Sequence, residues 1–215
     1  MAVPAPRGDP RHGMGDLLVM NTAWTPETLA AFEADIAAEF NAGNIKAPVH
    51  LAGGNELQLL RIFEDVQPQD FVCCTWRSHI HCLLKNVPPE DLKAAILDGR
   101  SIALCFPEQR VISSALVGGI TPVALGLAWA AKRRGSGERV WCFIGDMAER
   151  GGLYHECAQY ASGHDLPITF VVENNGLSVA TDTEKSWGLW HGLDVRSYTY
   201  KLEWPHVATG KWVSM

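Results

Sequence analysis

No stretch of the 215 residues approaches the ~20 consecutive apolar residues that span a bilayer, so no membrane segment is expected. Behind its charged residues the N-terminus has no apolar core, which argues against a secretory leader and for a cytoplasmic protein. Positive charge is in deficit: 18 Lys and Arg face 24 Asp and Glu, a formal net charge of −6. General nucleic-acid binding needs cations to neutralise phosphates, so that class is excluded. None of the six cysteines (Cys73, Cys74, Cys82, Cys105, Cys142 and Cys157) belongs to a Cys-x-x-Cys pair. A chain of this length needs no disulfide staples, and reduced, mostly buried thiols are expected. Internal repeats are absent, and so is a Gly-x-x-x-x-Gly-Lys-Ser/Thr phosphate loop. Gly135-Ser136-Gly137 lacks a third glycine and precedes a strand instead of following one, which is the wrong geometry for a dinucleotide fingerprint.

What is present is 47% hydrophobic and 20% charged, the balance of a domain with one good core. Residues 1–16 are rich in Pro, Gly and Arg and read as a flexible arm, leaving 17–215 as a single domain. Thr25-Pro26 is an N-cap followed by proline at the first helical position. Leu29, Phe32, Ile36 and Phe40 then recur at helical spacing, and Gly43 closes the helix. A loop over His50 to Glu56 leads into a helix through Leu57, Leu60 and Ile62. Phe71 to Trp76 reads as a buried strand. Pro88-Pro89-Glu90-Asp91 opens a helix that ends at Gly99. The small, apolar run from Gly118 finishes on Lys132, Arg133, Arg134 and Gly135, a favourable C-terminal turn.

The continuous apolar strand Val140 to Ile144 ends in Gly145-Asp146. A helix from Leu153 to about Ser162 follows, and then a second apolar strand, Ile168 to Val172, ending in Glu173-Asn174-Asn175. Apolar strands alternating with helices predict an α/β fold, a parallel sheet with helices on both faces. Asp146 and Asn175 therefore fall just past the C-terminal ends of two parallel strands, the edge where such sheets bind ligands. A carboxylate oxygen and an amide oxygen are hard ligands that suit magnesium, whose remaining positions phosphate oxygens and water can fill. Gly145 and the Gly151-Gly152 pair allow close approach of a bulky anion, and the helix start near Gly152 adds oriented N–H groups.

The stretch GDMAERGG…ENN resembles the thiamine diphosphate motif, Gly-Asp-Gly, a spacer, then Asn-Asn. Its separation of 29 positions, from 146 to 175, is that of the α subunits of thiamine diphosphate-dependent 2-oxoacid dehydrogenases. Three further segments are similar to that family in the same order: His50-Leu51 with Gly54-Asn55-Glu56; Thr75-Trp76-Arg77-Ser78-His79; and Gly118-Gly119-Ile120-Thr121-Pro122 with Gly126-Leu127-Ala128. The resemblance implies a thiamine diphosphate-binding fold. Its magnesium ion would be held by the Asp146 and Asn175 side chains and the Leu177 backbone carbonyl. Arg77 would pair with the diphosphate beside Trp76, with Gly145, Met147 and Ala148 around it. Backbone groups near Gly118 and Ile120 would hold the aminopyrimidine. His50 and His79 would be the catalytic histidines, His50 as a proton donor or electrostatic partner close to the thiazolium. The family places the glutamate that activates the cofactor on a separate β-like, pyrimidine-binding subunit. An α2β2 heterotetramer acting on a small oxoacid or ketose is therefore implied, with no activity from this chain alone.

The sequence also departs from the family pattern. Met147 replaces the last glycine of Gly-Asp-Gly, so a negative φ is expected there. Trp76 stands where tyrosine is frequent, and Ala103 where the family has a histidine. Little chain remains after the Asn-Asn strand, from Lys201 to Met215. These features keep two alternatives open, a transketolase-like two-carbon transferase and a degenerate paralogue that binds cofactor or partner without catalysis. His79, His81 and Cys82 are zinc-ligand types without a second cluster to complete a site. On a strand, His79 and His81 would share one face. His155, Glu156 and His206 carry no assigned role.

Overall fold

In the computed structural model, residues 24–188 and 196–204 are described. The expected arm at residues 1–16 and His206 lie outside them. The helices are α1 Pro26–Asn41, α2 Glu56–Phe63, α3 His79–Leu84, α4 Pro89–Ala95, α5 Ile120–Arg134, α6 Asp146–Arg150, α7 Gly152–Gly163 and α8 Thr183–Trp187. The strands are β1 Phe71–Cys74, β2 Cys105–Phe106, β3 Val111–Ser113, β4 Val140–Gly145, β5 Ile168–Asn174, β6 Leu177–Ser178, β7 Thr181–Asp182 and β8 Arg196–Thr199.

Local chemistry accounts for the helix ends. Thr25 and Thr28 form a reciprocal capping box, with Thr28 N donating to Thr25 Oγ1 at 3.3 Å and Thr25 N to Thr28 Oγ1 at 2.9 Å. Gly135 closes α5 in the left-handed region at φ 62°, behind the three basic residues expected there. The helix opened at Pro88-Pro89 passes from α4 into a π-helical turn, Ile96–Arg100, and breaks at Gly99 (φ 81°).

Six strands form one sheet in the order β2-β3-β1-β4-β5-β8, parallel except for β2 at one edge. Successive residues of β4 serve opposite faces, which explains its unbroken apolar sequence. Trp141 and Phe143 join Val72, Cys74 and Val171 beneath α1 to α4, with Leu29, Ile36, Leu59, Leu83 and Leu92. Val140, Cys142 and Ile144 join Cys73 and Val172 beneath α5 and α7, with Ala124, Ala128, Tyr154 and Cys157. All six cysteines are free thiols, five of them buried and Cys105 exposed.

Two features differ from the sequence reading. The strand expected to run to Trp76 stops at Cys74, whose carbonyl accepts the last ladder bond, from Ser114 N (3.1 Å). His79 and His81, whose element the sequence reading left open, lie on α3. Two residues apart on a helix diverge by about 200°, so the two rings point to different neighbours instead of sharing a face. In addition, a short helix, α6, precedes α7, and the β6–β7 hairpin, α8 and β8 had no counterpart in the apolar pattern.

Candidate cofactor site

From β1 the chain runs outward to β3 and β2, then returns to place β4 on the other side of β1. The connections therefore leave in opposite directions between β1 and β4, and such a switch point opens a crevice at the C-terminal strand ends. A cleft of about 60 Å³ lies there. Thr75, Trp76 and Arg77 after β1 and Gly145 to Ala148 after β4 form two of its walls. Val117 and Gly118 before α5, Glu173 and Asn175 of the β5 end, Leu177 to Val179 of the hairpin, and Tyr200 complete it. A larger groove, about 1,040 Å³, runs along α7 and β5 to Arg196, but none of the motif residues lines it.

Of the residues singled out by sequence, this cleft gathers Trp76, Arg77, Gly118, Gly145, Asp146, Met147, Ala148, Asn175 and Leu177. Asp146 is only 3% exposed, and its Oδ2 is buried without a hydrogen-bond partner. An ionised oxygen so placed is costly unless a cation answers it. Asn175 is fixed from both sides: its Oδ1 accepts from Leu177 N (2.9 Å), and its Nδ2 donates to the Tyr200 hydroxyl (3.3 Å). One lone pair of that oxygen remains for a second partner. The Arg77 guanidinium also has a buried nitrogen, NH1, without a partner, and burial pulls its pKa below the usual arginine value. A carboxylate oxygen, an amide oxygen and a guanidinium around one crevice fit a magnesium ion bridging to a diphosphate. Gly118 adopts φ 70°, a left-handed turn open to glycine, just ahead of α5. Met147 lies within α6 and is not among the positive-φ residues, in line with the negative φ expected. Gly151 and Gly152 do not line the cleft; the strand-to-α6 turn does.

The remaining predicted residues sit beside or beneath this cleft. His50 is half-buried on the loop before α2, its ring 6.0 Å from that of Trp76. Glu33 of α1 holds this loop by accepting from Ala52 N (3.2 and 2.9 Å), and Glu56 accepts from Gly54 N (3.1 and 2.9 Å). His79 is fully buried, with Nε2 2.9 Å from Ser101 Oγ and Nδ1 3.5 Å from Glu33. Ile120 is 1% exposed and packs its side chain into the core beneath α5.

Sequence reasoning missed a polar layer behind the cleft. Glu173, 7% exposed, accepts from the Tyr198 hydroxyl (2.6 Å) and Asn55 Nδ2 (3.3 Å). His81 Nε2 approaches Glu173 at 3.4 Å without hydrogen-bond alignment. Burial and the neighbouring Glu173 carboxylate push the Tyr198 phenol well above its ordinary pKa. Glu173 precedes the Asn-Asn pair directly, and Tyr198 and Tyr200 alternate as strand residues do; both were signals within reach.

The sequence model of the family described as "Dehydrogenase E1 component" matches residues 25–189, the span that carries every motif above. The chain belongs to the dehydrogenase E1 component family. This is the thiamine diphosphate-dependent family that the motifs resemble. The α subunit of acetoin:2,6-dichlorophenolindophenol oxidoreductase from Cupriavidus necator is 30% identical over 181 residues, covering 80% of this chain and 53% of that protein. The pyruvate dehydrogenase E1 component α subunit of Porphyra purpurea is 28% identical over 172 residues, 72% of this chain and 50% of that one. The chain thus spans about half the length of the curated relatives it matches. A solved structure assigned as a thiamin diphosphate-dependent enzyme of Mycobacterium smegmatis covers 61% of this chain and 22% of its own, at 20% identity and a TM-score of 0.42.

Proposed function

We propose that this E1-family chain is the α-like, diphosphate-holding subunit of a thiamine diphosphate- and magnesium-dependent enzyme. Its reaction class would be cleavage of a bond next to a carbonyl, as in 2-oxoacid decarboxylation with acyl transfer or oxidation. The observation that carries this reading is the buried, unpartnered Asp146 carboxylate oxygen in one cleft with Asn175 and Arg77. When bound, the cofactor supplies an electron sink for the electrons released by carbon–carbon cleavage. This chain's residues would do the rest of the binding. Asp146, Asn175 and the Leu177 carbonyl would hold the cation, and Arg77 would neutralise diphosphate with a planar fork of donors. Backbone groups at the Gly118 turn and Ile120 would hold the aminopyrimidine. His50, beside Trp76 at the mouth, would be the chain's own proton donor or electrostatic partner, and His79 would support it from below through Glu33, which ties to the same loop.

A second, β-like chain supplying the activating glutamate fits the shape of the site. The cleft's 60 Å³ is well under the roughly 300–1,000 Å³ of ordinary small-molecule pockets. Exposed apolar side chains line it or adjoin it: Val117 (59%), Leu177 (42%) and Val179 (55%) in its wall, and Trp187 (58%) beside Met147. Trp187 is anchored at the rim through Nε1 to the Met147 sulfur (3.0 Å). Apolar side chains gathered this way support an interface, in an α2β2 assembly working in the cytoplasm. No helix among the described residues is long and apolar enough to cross a membrane. Relatives named for acetoin and for pyruvate both match, so small 2-oxo compounds are the substrates to try first. Reconstitution with a β-like chain should give cofactor-dependent turnover of at least one of them, measured with an artificial electron acceptor. A pair that forms a stable complex yet leaves every 2-oxoacid, acyloin and ketose unchanged would favour the non-catalytic paralogue.

A further inference from the structure

We infer that Tyr200 is a diphosphate-binding residue of this site: it steadies the Asn175 amide, whose orientation Leu177 N sets, and donates its own O–H to a diphosphate oxygen. The inference rests on the cofactor reading above and adds to it a residue that no motif marks.

The backbone places Tyr200 there. The β5–β8 ladder pairs Asn174 with Thr199 in parallel register, and one further bond, Tyr200 N to the Asn174 carbonyl (3.0 Å), continues it past the strand end. Tyr200 is thereby set beside Asn175 at the C-terminal sheet edge. Its ring is 8% exposed and forms part of the cleft wall with Arg77, Asp146 and Asn175. The hydroxyl oxygen accepts from Asn175 Nδ2 at 3.3 Å, which uses an oxygen lone pair and leaves the phenolic proton to donate elsewhere. Because Oδ1 takes Leu177 N, a flip of the amide would put donor against donor there, while the Tyr200 hydroxyl holds the other end at Nδ2. The oxygen, not the nitrogen, is therefore held ready for a cation.

An ordinary phenol keeps its proton up to about pH 10, so the Tyr200 hydroxyl is a donor, as a hydrogen bond to an anion requires. Tyr198 provides the contrast. It lies two residues earlier on the same face of β8, but its hydroxyl is committed to Glu173 at 2.6 Å and it does not line the cleft.

Calorimetric titration of inorganic pyrophosphate with magnesium into the chain paired with its β-like partner tests this with one conservative change. Tyr200→Phe should fold normally by circular dichroism and bind pyrophosphate about 10- to 100-fold more weakly, the weight of a hydrogen bond to a charged group. The magnesium concentration that half-saturates binding should rise with it. Tyr198→Phe should bind as the wild type does while unfolding at lower urea. If Tyr200→Phe and wild type bind alike while Asp146→Ala fails to bind, the role given to Tyr200 is wrong and the cofactor reading stands. Equal losses in the Tyr198 and Tyr200 variants would overturn it too, as an effect of strand packing. Pyrophosphate binding that ignores Asp146→Ala, or no binding by the wild-type chain, overturns both.

Discussion

Replacing Glu173 by alanine removes the acceptor at the centre of the buried polar layer. Two hydrogen bonds are lost, from the Tyr198 hydroxyl (2.6 Å) and Asn55 Nδ2 (3.3 Å), together with the 3.4 Å approach of His81. Asn55 is 1% and His81 0% exposed, so water cannot easily replace the carboxylate. Each buried polar group left unsatisfied costs about 1–3 kcal/mol, and breaking a buried charged cluster by removing one member costs about 3–5 kcal/mol in all. Against a total stability of roughly 5–15 kcal/mol that is a large share. With about 2–4 °C per kcal/mol at this size, the midpoint of thermal unfolding should fall by roughly 6–20 °C. Glu173→Gln retains an acceptor oxygen for Tyr198 and should cost less than half as much. Urea unfolding followed by tryptophan fluorescence measures both variants. A loss below about 1 kcal/mol for Glu173→Ala, within the range of an ordinary surface substitution, would refute the claim that Glu173 organises this layer. Equal losses for alanine and glutamine would refute the hydrogen-bond account of it.

Two further perturbations probe how the sheet edge is held. Gly54 sits at φ 88°, and a Cβ there would come within 2.6 Å of the Lys201 carbonyl oxygen. Gly54→Ala should therefore cost at least about 1–2 kcal/mol from the left-handed backbone alone and loosen residues 201–204, read as faster amide exchange in that segment; unchanged exchange would count against the contact. Lys85, 3% exposed, donates to the carbonyls of Gln67 (3.2 Å), Pro68 (2.8 Å) and Asp70 (2.8 Å), while burial pulls its pKa from 10.5 down to about 8. The unfolded chain then holds this proton more tightly than the native one, so Lys85 should add stability as pH rises from about 8 to 10.5 and lose it again as pH falls through 8. Wild type compared with Lys85→Gln across that range isolates the effect, and a pH-independent difference between them would contradict it.

How much the sequence disclosed follows from what each element buries. β4 and β5 are covered on both faces, so Val140 to Ile144 is continuously apolar and Ile168 to Val172 is apolar but for Thr169, and both could be recognised with the residues at their ends. Asp146 and Asn175 were legible for that reason, and the register of Gly145 opposite Glu173 brings the two strand ends together. β8 is an edge strand whose Arg196, Ser197 and Thr199 are exposed, so it shows no apolar run. β3 has only three residues and β2 two, too few for periodicity to register. His79 and His81 were left without an element, because a short apolar run fits strand and buried helix equally well. The polar layer was hidden for a different reason: Asn55 meets Glu173 and Tyr198 across 118 and 143 residues of sequence, and no local pattern encodes such a pairing. His50 and His79 were found by motif, but only the fold shows one at the cleft's flank and the other fully enclosed.

The central claim is that Asp146 answers a cation that in turn holds a diphosphate. Calorimetric titration of thiamine diphosphate into the wild-type chain and Asp146→Ala, each with its β-like partner and with or without magnesium, tests it most directly. The account predicts binding by the wild-type protein only when magnesium is present, and none by the variant under either condition. Binding of equal strength without magnesium, or undiminished in Asp146→Ala, would contradict it.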